Sequence, residues 1–302
     1  MIERVLTELA VGLSEDGVSG RARRRVLAEA RDHLEEATAA VGEDEAVRAF
    51  GPPRELAGLV AAEVATMATR AAALATFGVL GVAGLVYAVL FLTLPLAGVP
   101  DVFGGSVPGL GVVVFAGIVF APQVAFISGC LSLIRVVRMR RRGALATAEL
   151  RLQRWRTGVA IAAGLVTFAS LAVAALNFRH DLAVWWVVAT LTASTSLMLV
   201  LGLVAVTIVR SARPRARGAG PADDVFDDLA PVLGLPALRR LELPGHPWRL
   251  ALLVAAAASA PVALGGFVDG DPFDGLIRAS TEIAAVLGCF SLFGRSLGLR
   301  RF

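Results

Sequence analysis

Residues 53–94 read PRELAGLVAAEVATMATRAAALATFGVLGVAGLVYAVLFLTL, and this stretch decides the fold. The preceding Gly51-Pro52 leads into Pro53, whose fixed φ suits a first helical turn and whose missing N–H is not needed there. Up to about Arg70 the residues are amphipathic at helical spacing, with Leu56, Leu59, Val60, Val64 and Met67 on one stripe. From Ala71 onward no charge interrupts the run before Pro95. A continuous helix over this span would be about 60 Å long, roughly twice the hydrocarbon thickness of a bilayer. The spacing therefore predicts one rod that begins in water and ends in lipid.

The remainder of the chain supports that reading. At 302 residues, 56% hydrophobic and a mean hydropathy of +0.72, it is too apolar for a soluble globule of this size. Six runs are apolar over a membrane-crossing length: 71–97, 110–137, 158–177, 183–209, 248–267 and 276–294. The predicted fold class is all-α: six transmembrane helices over 71–302, preceded by a small helical bundle over 1–70.

Every basic side chain is Arg. The connections 98–109, 178–182 and 268–275 hold only Arg179, whereas the opposite side holds Arg135, Arg138, Arg151, Arg154 and Arg156, then Arg210, Arg213, Arg239 and Arg240, and finally Arg300 and Arg301. By the positive-inside rule both termini face the cytoplasm, at the bacterial inner membrane. The same rule accounts for a pI near 10.2 without a nucleic-acid partner. Cys130 and Cys289 fall inside apolar spans, where cysteine behaves as a small hydrophobe.

Before the rod, Ile2, Val5, Leu6, Leu9 and Leu13 recur at helical spacing, followed by turn formers over 14–20. A second helix over about 21–41 places Val26, Leu27, Ala30, Leu34, Ala37 and Val41 inward. A short third helix over 44–50 is stopped by Gly51. These three helices are expected to pack on the Leu56-to-Met67 stripe.

Within this region the order Arg24-Arg25, Glu29, His33-Leu34-Glu35-Glu36-Ala37 and then Ala46-Val47-Arg48-Ala49-Phe50-Gly51-Pro52-Pro53-Arg54-Glu55-Leu56-Ala57 resembles the HAAS-type, or permease-prefix, helical domain of bacterial membrane proteins. The resemblance covers about the first quarter of the chain. It implies a signalling or interaction module fused to a membrane region, often encoded beside PadR-type regulators, and it implies no catalytic residues.

Polar groups inside apolar spans are the places to seek chemistry, since lipid makes an unpaired polar group costly. Arg278 and Glu282 stand four residues apart in the last span, where a local ion pair is available; Gln123 lies in the second span. Thr190, Thr192, Ser194, Thr195 and Ser196 in the fourth span suit bonds across helices or back to their own carbonyls. The glycines Gly78, Gly81 and Gly84 are expected to let neighbouring helices approach. His33, Arg54 and Glu55 are surface candidates for partner contact on the N-terminal helices. The Asp223-Asp224-Val225-Phe226-Asp227-Asp228 run has a metal-binding look but no second acidic motif on its side of the membrane. A helix start, pairing with Arg or a partner contact explains it better. The segment around 138–156, basic with Leu145, Leu150, Leu152 and Trp155 apolar, suits the anionic inner leaflet or a soluble partner.

No nucleotide-binding Gly-rich loop, zinc-ligand spacing or serine-nucleophile elbow is present, and no cofactor is expected. The first reading is a non-enzymatic signalling or regulatory membrane protein that binds a cytoplasmic regulator. The alternative is a permease-like transporter subunit working with a separate ATPase.

Overall fold

A computed structural model describes residues 1–18, 20–98, 108–138, 145, 147–211, 247–268 and 272–294. Those residues form nine helices: α1 (Ile2–Glu15), α2 (Gly20–Val41), α3 (Glu43–Phe50), α4 (Pro53–Ala97), α5 (Pro108–Arg138), α6 (Thr147–Asn177), α7 (Val184–Arg210), α8 (Pro247–Val268) and α9 (Pro272–Phe293). Among the described residues there is no strand.

Turn chemistry sets the boundaries. After α1, Gly17 sits at φ 79°, the Val18 N–H donates to the Leu13 carbonyl at 2.8 Å, and the Gly17 N–H donates to Ser14 O at 3.1 Å. This bonding satisfies carbonyls left over at the helix end and folds Val18 back into the core. Gly51 takes φ 76° after α3, a conformation in which any side chain would be strained, and α4 starts two residues later. α4 is a single helix of 45 residues, about 68 Å at 1.5 Å per residue, unbroken at Arg70. It continues past Pro95 and stops at Gly98.

The chain divides into two units, to both of which α4, α6 and α7 contribute residues. The first gathers Met1–Ala72, the described part of Met139–Arg154 and the stretch from Val206; the second holds Ala73–Arg138, Trp155–Ala205 and the C-terminal helices.

In the first unit one hydrophobic core unites Leu6, Leu9, Leu13, Val18 and Leu34 with Ala57, Ala61 and Ala65 of α4. Leu56, Val60 and Val64 of the predicted stripe pack against this core, but the stripe is corrected at its centre and at Leu59 and Met67. Ala57, Ala61 and Ala65 are fully buried, whereas Leu59 and Met67 are 67% and 57% exposed. The physical reason is proximity: a Cβ added at Gly12 would lie 2.9 Å from Ala57 Cβ, so α1 crosses α4 too closely for a large side chain. Val41, expected inside, also points out. Leu145, just before α6, and Leu150, in the first turn of α6, join the same core.

In the second unit the large apolar side chains that face outward, Leu85, Leu92, Leu199 and Leu203 among them, suit lipid and not water. Among the described residues, five helices are long and apolar enough to cross a membrane: 53–94 in α4, 117–137 in α5, α6, α7 and 275–292 in α9. α8 has 22 residues, about 33 Å of helix, but its described apolar stretch is the shorter Ala251–Ala260. It packs through Ala251 and Ala255 on Val286, Cys289 and Phe290 of α9, with Ile127 of α5.

Gly78, Gly81 and Gly84 do not mediate helix contacts; a Cβ at any of them would meet nothing within 4 Å. The close approaches fall elsewhere. A Cβ at Gly117 would lie 2.8 Å from Ser170 Cβ, and one at Gly164 would lie 2.9 Å from Leu201 Cδ1. At the other end of α4, Ala183 N–H donates to Ala97 O at 2.7 Å, and Leu94 packs with Ala175, Leu182 and Val187.

Candidate functional site

Two polar arrangements and one cavity stand out, each within a single unit. In the first unit the Thr66 and Thr69 hydroxyls donate to Ala62 O and Ala65 O, both at 2.7 Å. Their remaining lone pairs accept from the other segment: Leu145 N–H reaches Thr66 Oγ1 at 3.0 Å, and Arg154 Nε reaches Thr69 Oγ1 at 3.2 Å. Two threonines one turn apart thereby hold Leu145 and the first turns of α6 against α4, while Leu145 and Leu150 bury their side chains beside them. The sequence showed an apolar edge on this segment, but not which surface would cover it.

In the second unit Gln123 Nε2 of α5 donates to Glu282 Oε1 of α9. Both side chains are half-buried, and Arg278, one turn earlier on α9, is exposed. Nearby on the same helices Cys289 Sγ faces Phe120 O at 3.9 Å. Two of the three intramembrane candidates are thus brought together across helices. Among the described residues no group of three or more His, Cys, Asp or Glu converges as a metal site would require.

The cavity lies between α4, α5, α6 and α7 and measures about 780 Å³. Its polar rim is almost wholly satisfied. Tyr87 stacks on Phe168 with ring centroids 5.9 Å apart and shares a hydrogen bond with Ser194; Trp186 Nε1 donates to Leu90 O at 2.9 Å. Thr167 donates to Ala163 O at 2.9 Å. Thr190 is the exception: it is 1% exposed, lines the cavity, and its Oγ1 has no partner. Pro122, Gly81 and Gly84 complete the part of the wall that matters here. Of these residues, the sequence flagged the hydroxyl cluster of α7 and the glycines Gly81 and Gly84, but not their convergence. The lone Tyr of the chain, set inside an apolar run, was the signal that could have located it.

The partner-contact candidates stand apart from these features. His33 on α2 and Arg54 and Glu55 in the first turn of α4 are all exposed. Asp223, Asp224, Asp227 and Asp228 lie outside the described residues. The surface of the N-terminal helices carries ion pairs, among them Arg31–Glu3 at 2.8 Å and Arg25–Glu29 at 2.7 Å. Exposed pairs of this kind contribute little to stability. Glu43 is better placed: its Oε1 takes the Met1 amine at 2.6 Å and the Ile2 N–H at 3.1 Å, which together hold its carboxyl below the ordinary carboxylate range.

No curated protein and no solved structure matches the chain. A family model does match at the front: residues 6–58 fit HAAS, from within α1 through α2 and α3 to the opening turns of α4. The chain therefore carries a HAAS domain at its N-terminus, followed by the apolar helices of a membrane region.

Proposed function

We propose that the chain is a non-enzymatic regulatory protein of the bacterial inner membrane, in which the HAAS domain binds a cytoplasmic partner and α4 carries the consequence into the membrane helices. The observation that supports this reading most is the shared core of the first unit. α4 leaves the HAAS match as one helix, and Leu145 and the first turns of α6 pack on its watery end through Thr66, Thr69 and Leu150. A partner that prefers one packing of that core would shift the balance between two arrangements of the helices leading from it.

The same contact supports the membrane topology. Leu145 can meet Thr66 only if both lie on one side of the bilayer, as two crossings by α4 and α5 require. Together with the arginine bias this supports a cytoplasmic location for the bundle, for Leu145 and for both termini. With α8 as a further crossing the helices number six, an even count that returns the C-terminus to the arginine-rich side.

A photo-crosslinking residue at Arg54, which is exposed, tests the proposal in living cells. Adducts with a soluble regulator are the expected result. Adducts with an ATPase would favour the transporter-subunit alternative, and no adduct with any soluble protein would contradict the docking role.

A further inference from the structure

We infer that Gln123 on α5 and Glu282 on α9 form a proton-binding site within the membrane. A proton taken up on Glu282 Oε2 is donated to Gln123 Oε1 and closes a second hydrogen bond between the two helices. Membrane placement of α5 and α9 is required; the regulatory reading is not, and no result below depends on it.

Depth comes first. Gln123 stands at the midpoint of α5 and Glu282 close to that of α9, about 15 Å of helix from either end of the latter. A carboxyl at that depth is neutralised by a cation or by a proton, because lipid cannot solvate its charge. Among the described residues no cation pairs with Glu282. The ion pair that its spacing from Arg278 makes available is not formed, and the bond from Gln123 Nε2 is the only hydrogen bond that either side chain makes. Neither α5 nor α8 carries an acidic residue, and their Arg135, Arg138 and Arg249 stand near the arginine-rich helix ends. α6 meets the same cluster through Val159; its charged group there is Arg156, whose carbonyl takes the Ser128 hydroxyl more than a turn along α5 from Gln123. On α9 the other titratable groups are Asp274, two turns before Glu282, and Cys289, two turns after it, whose thiol faces Phe120 O.

Hydrogen-bond counting then locates the proton. An ionised Glu282 can only accept, and its Oε2 has no donor; Gln123 Oε1 is likewise an acceptor without a donor. Two acceptors on side chains already joined to each other thus lack one hydrogen. A proton on Oε2 removes the charge and turns that oxygen into a donor for the amide oxygen, so that the planar acid and the planar amide meet along both edges. Its release restores the carboxylate, with Gln123 Nε2 as the single donor. Proton uptake therefore tightens α9 on α5, and with α9 goes α8, which packs on it through Ala251 and Ala255.

The test is infrared difference spectroscopy of the full-length protein in lipid nanodiscs, with the glutamate carboxyl carbons isotopically labelled so that their bands are identified. As pH is lowered through the neutral range, in which carboxyls in water stay ionised, the carbonyl band of a protonated glutamic acid should appear in the wild type. Glu282→Gln should lose that band. Gln123→Leu should keep it but move it to higher frequency, as for an acid without a hydrogen-bond partner. No glutamic-acid band in the wild type, a band that survives Glu282→Gln, or a band unmoved by Gln123→Leu would overturn the site. If Glu282→Gln does not fold, a lipid-soluble carbodiimide applied to the wild type decides in its place. Its nitrogen takes the acid proton as the carboxyl oxygen bonds to its central carbon, so only a protonated carboxyl within reach of lipid reacts. An adduct at Glu282 that is lost as pH is raised, with the exposed Glu35 and Glu36 of α2 spared, supports the site; its absence overturns it.

Discussion

Gln123 on α5 donates its side-chain amide to Glu282 on α9, joining residues separated by 159 positions in sequence. A carboxylate among apolar helices is costly when isolated, so this bond both satisfies the acid and fixes how α9 lies on α5. Gln123→Leu leaves the carboxylate without that donor and should destabilise the protein by about 1.5–3 kcal/mol, the worth of a hydrogen bond to a charged group. Glu282→Gln, which can still accept from Gln123, should cost less. In a double-mutant cycle followed by thermal unfolding in detergent, the two truncations Gln123→Leu and Glu282→Leu should be clearly non-additive; strictly additive losses would show that the pair is not coupled.

The crossing of α1 over α4 depends on small side chains. Ala57→Leu should disrupt it by about 1–3 kcal/mol through overpacking, since Gly12 already lies against that methyl group. Leu59→Ser, at a position that is 67% exposed, should change stability by less than about 0.5 kcal/mol. Hydrogen exchange of the α1 amides in the full-length chain would separate the two, and an equal response would refute the alanine interface.

That contrast shows what was legible in the sequence. Helix starts and stops could be read because Gly17, Gly51 and Pro53 act locally, and the apolar runs could be read because lipid imposes one requirement along a whole helix. The packed face of α4 could not be read by size. Periodicity marks a stripe, but the distance between two backbones decides whether Leu or Ala can occupy it, and that distance is set by Gly12 on another helix. The same limit applied to Gly78, Gly81 and Gly84, whose composition suggests close contact and whose surroundings are open. Glu282 could be recognised as unusual in an apolar span, yet its partner Gln123 lies on a helix far away in sequence.

The start of α6 should detach from α4 when its apolar anchors are removed. Leu150 is 3% exposed, and Leu150→Ala should cost about 2–5 kcal/mol of local stability. Limited trypsin digestion of vesicles that expose this side would read it out as faster cleavage at Arg151 and Arg154. Thr66→Val, which removes the acceptor for Leu145 N–H along with the local bond to Ala62 O, should give a smaller acceleration of the same kind. Unchanged digestion in both variants would argue against the docked arrangement.

Acid should loosen the contact between the start of α1 and the start of α3. Glu43 is held below the ordinary carboxylate value by the Met1 ammonium and the Ile2 N–H, so its folded pKa is lower than its unfolded one. Its contribution is therefore present above the ordinary value of 4.5 and is lost as pH falls below it through the folded pKa. Protection of the first α1 amides should fall over that acid range in the wild type. Glu43→Gln should show the weakened level at all pH values and no titration; a wild-type response identical to that of the variant would exclude Glu43 as the cause.

The central claim is that one uninterrupted helix leads from the HAAS domain into the membrane region. Hydrogen–deuterium exchange across residues 62–78 of the full-length protein in lipid nanodiscs tests it directly. The account predicts slow exchange at every amide through Arg70, in keeping with the single helix Pro53–Ala97. A cluster of rapidly exchanging amides around Arg70, flanked by protected segments, would reveal a joint there and contradict the account.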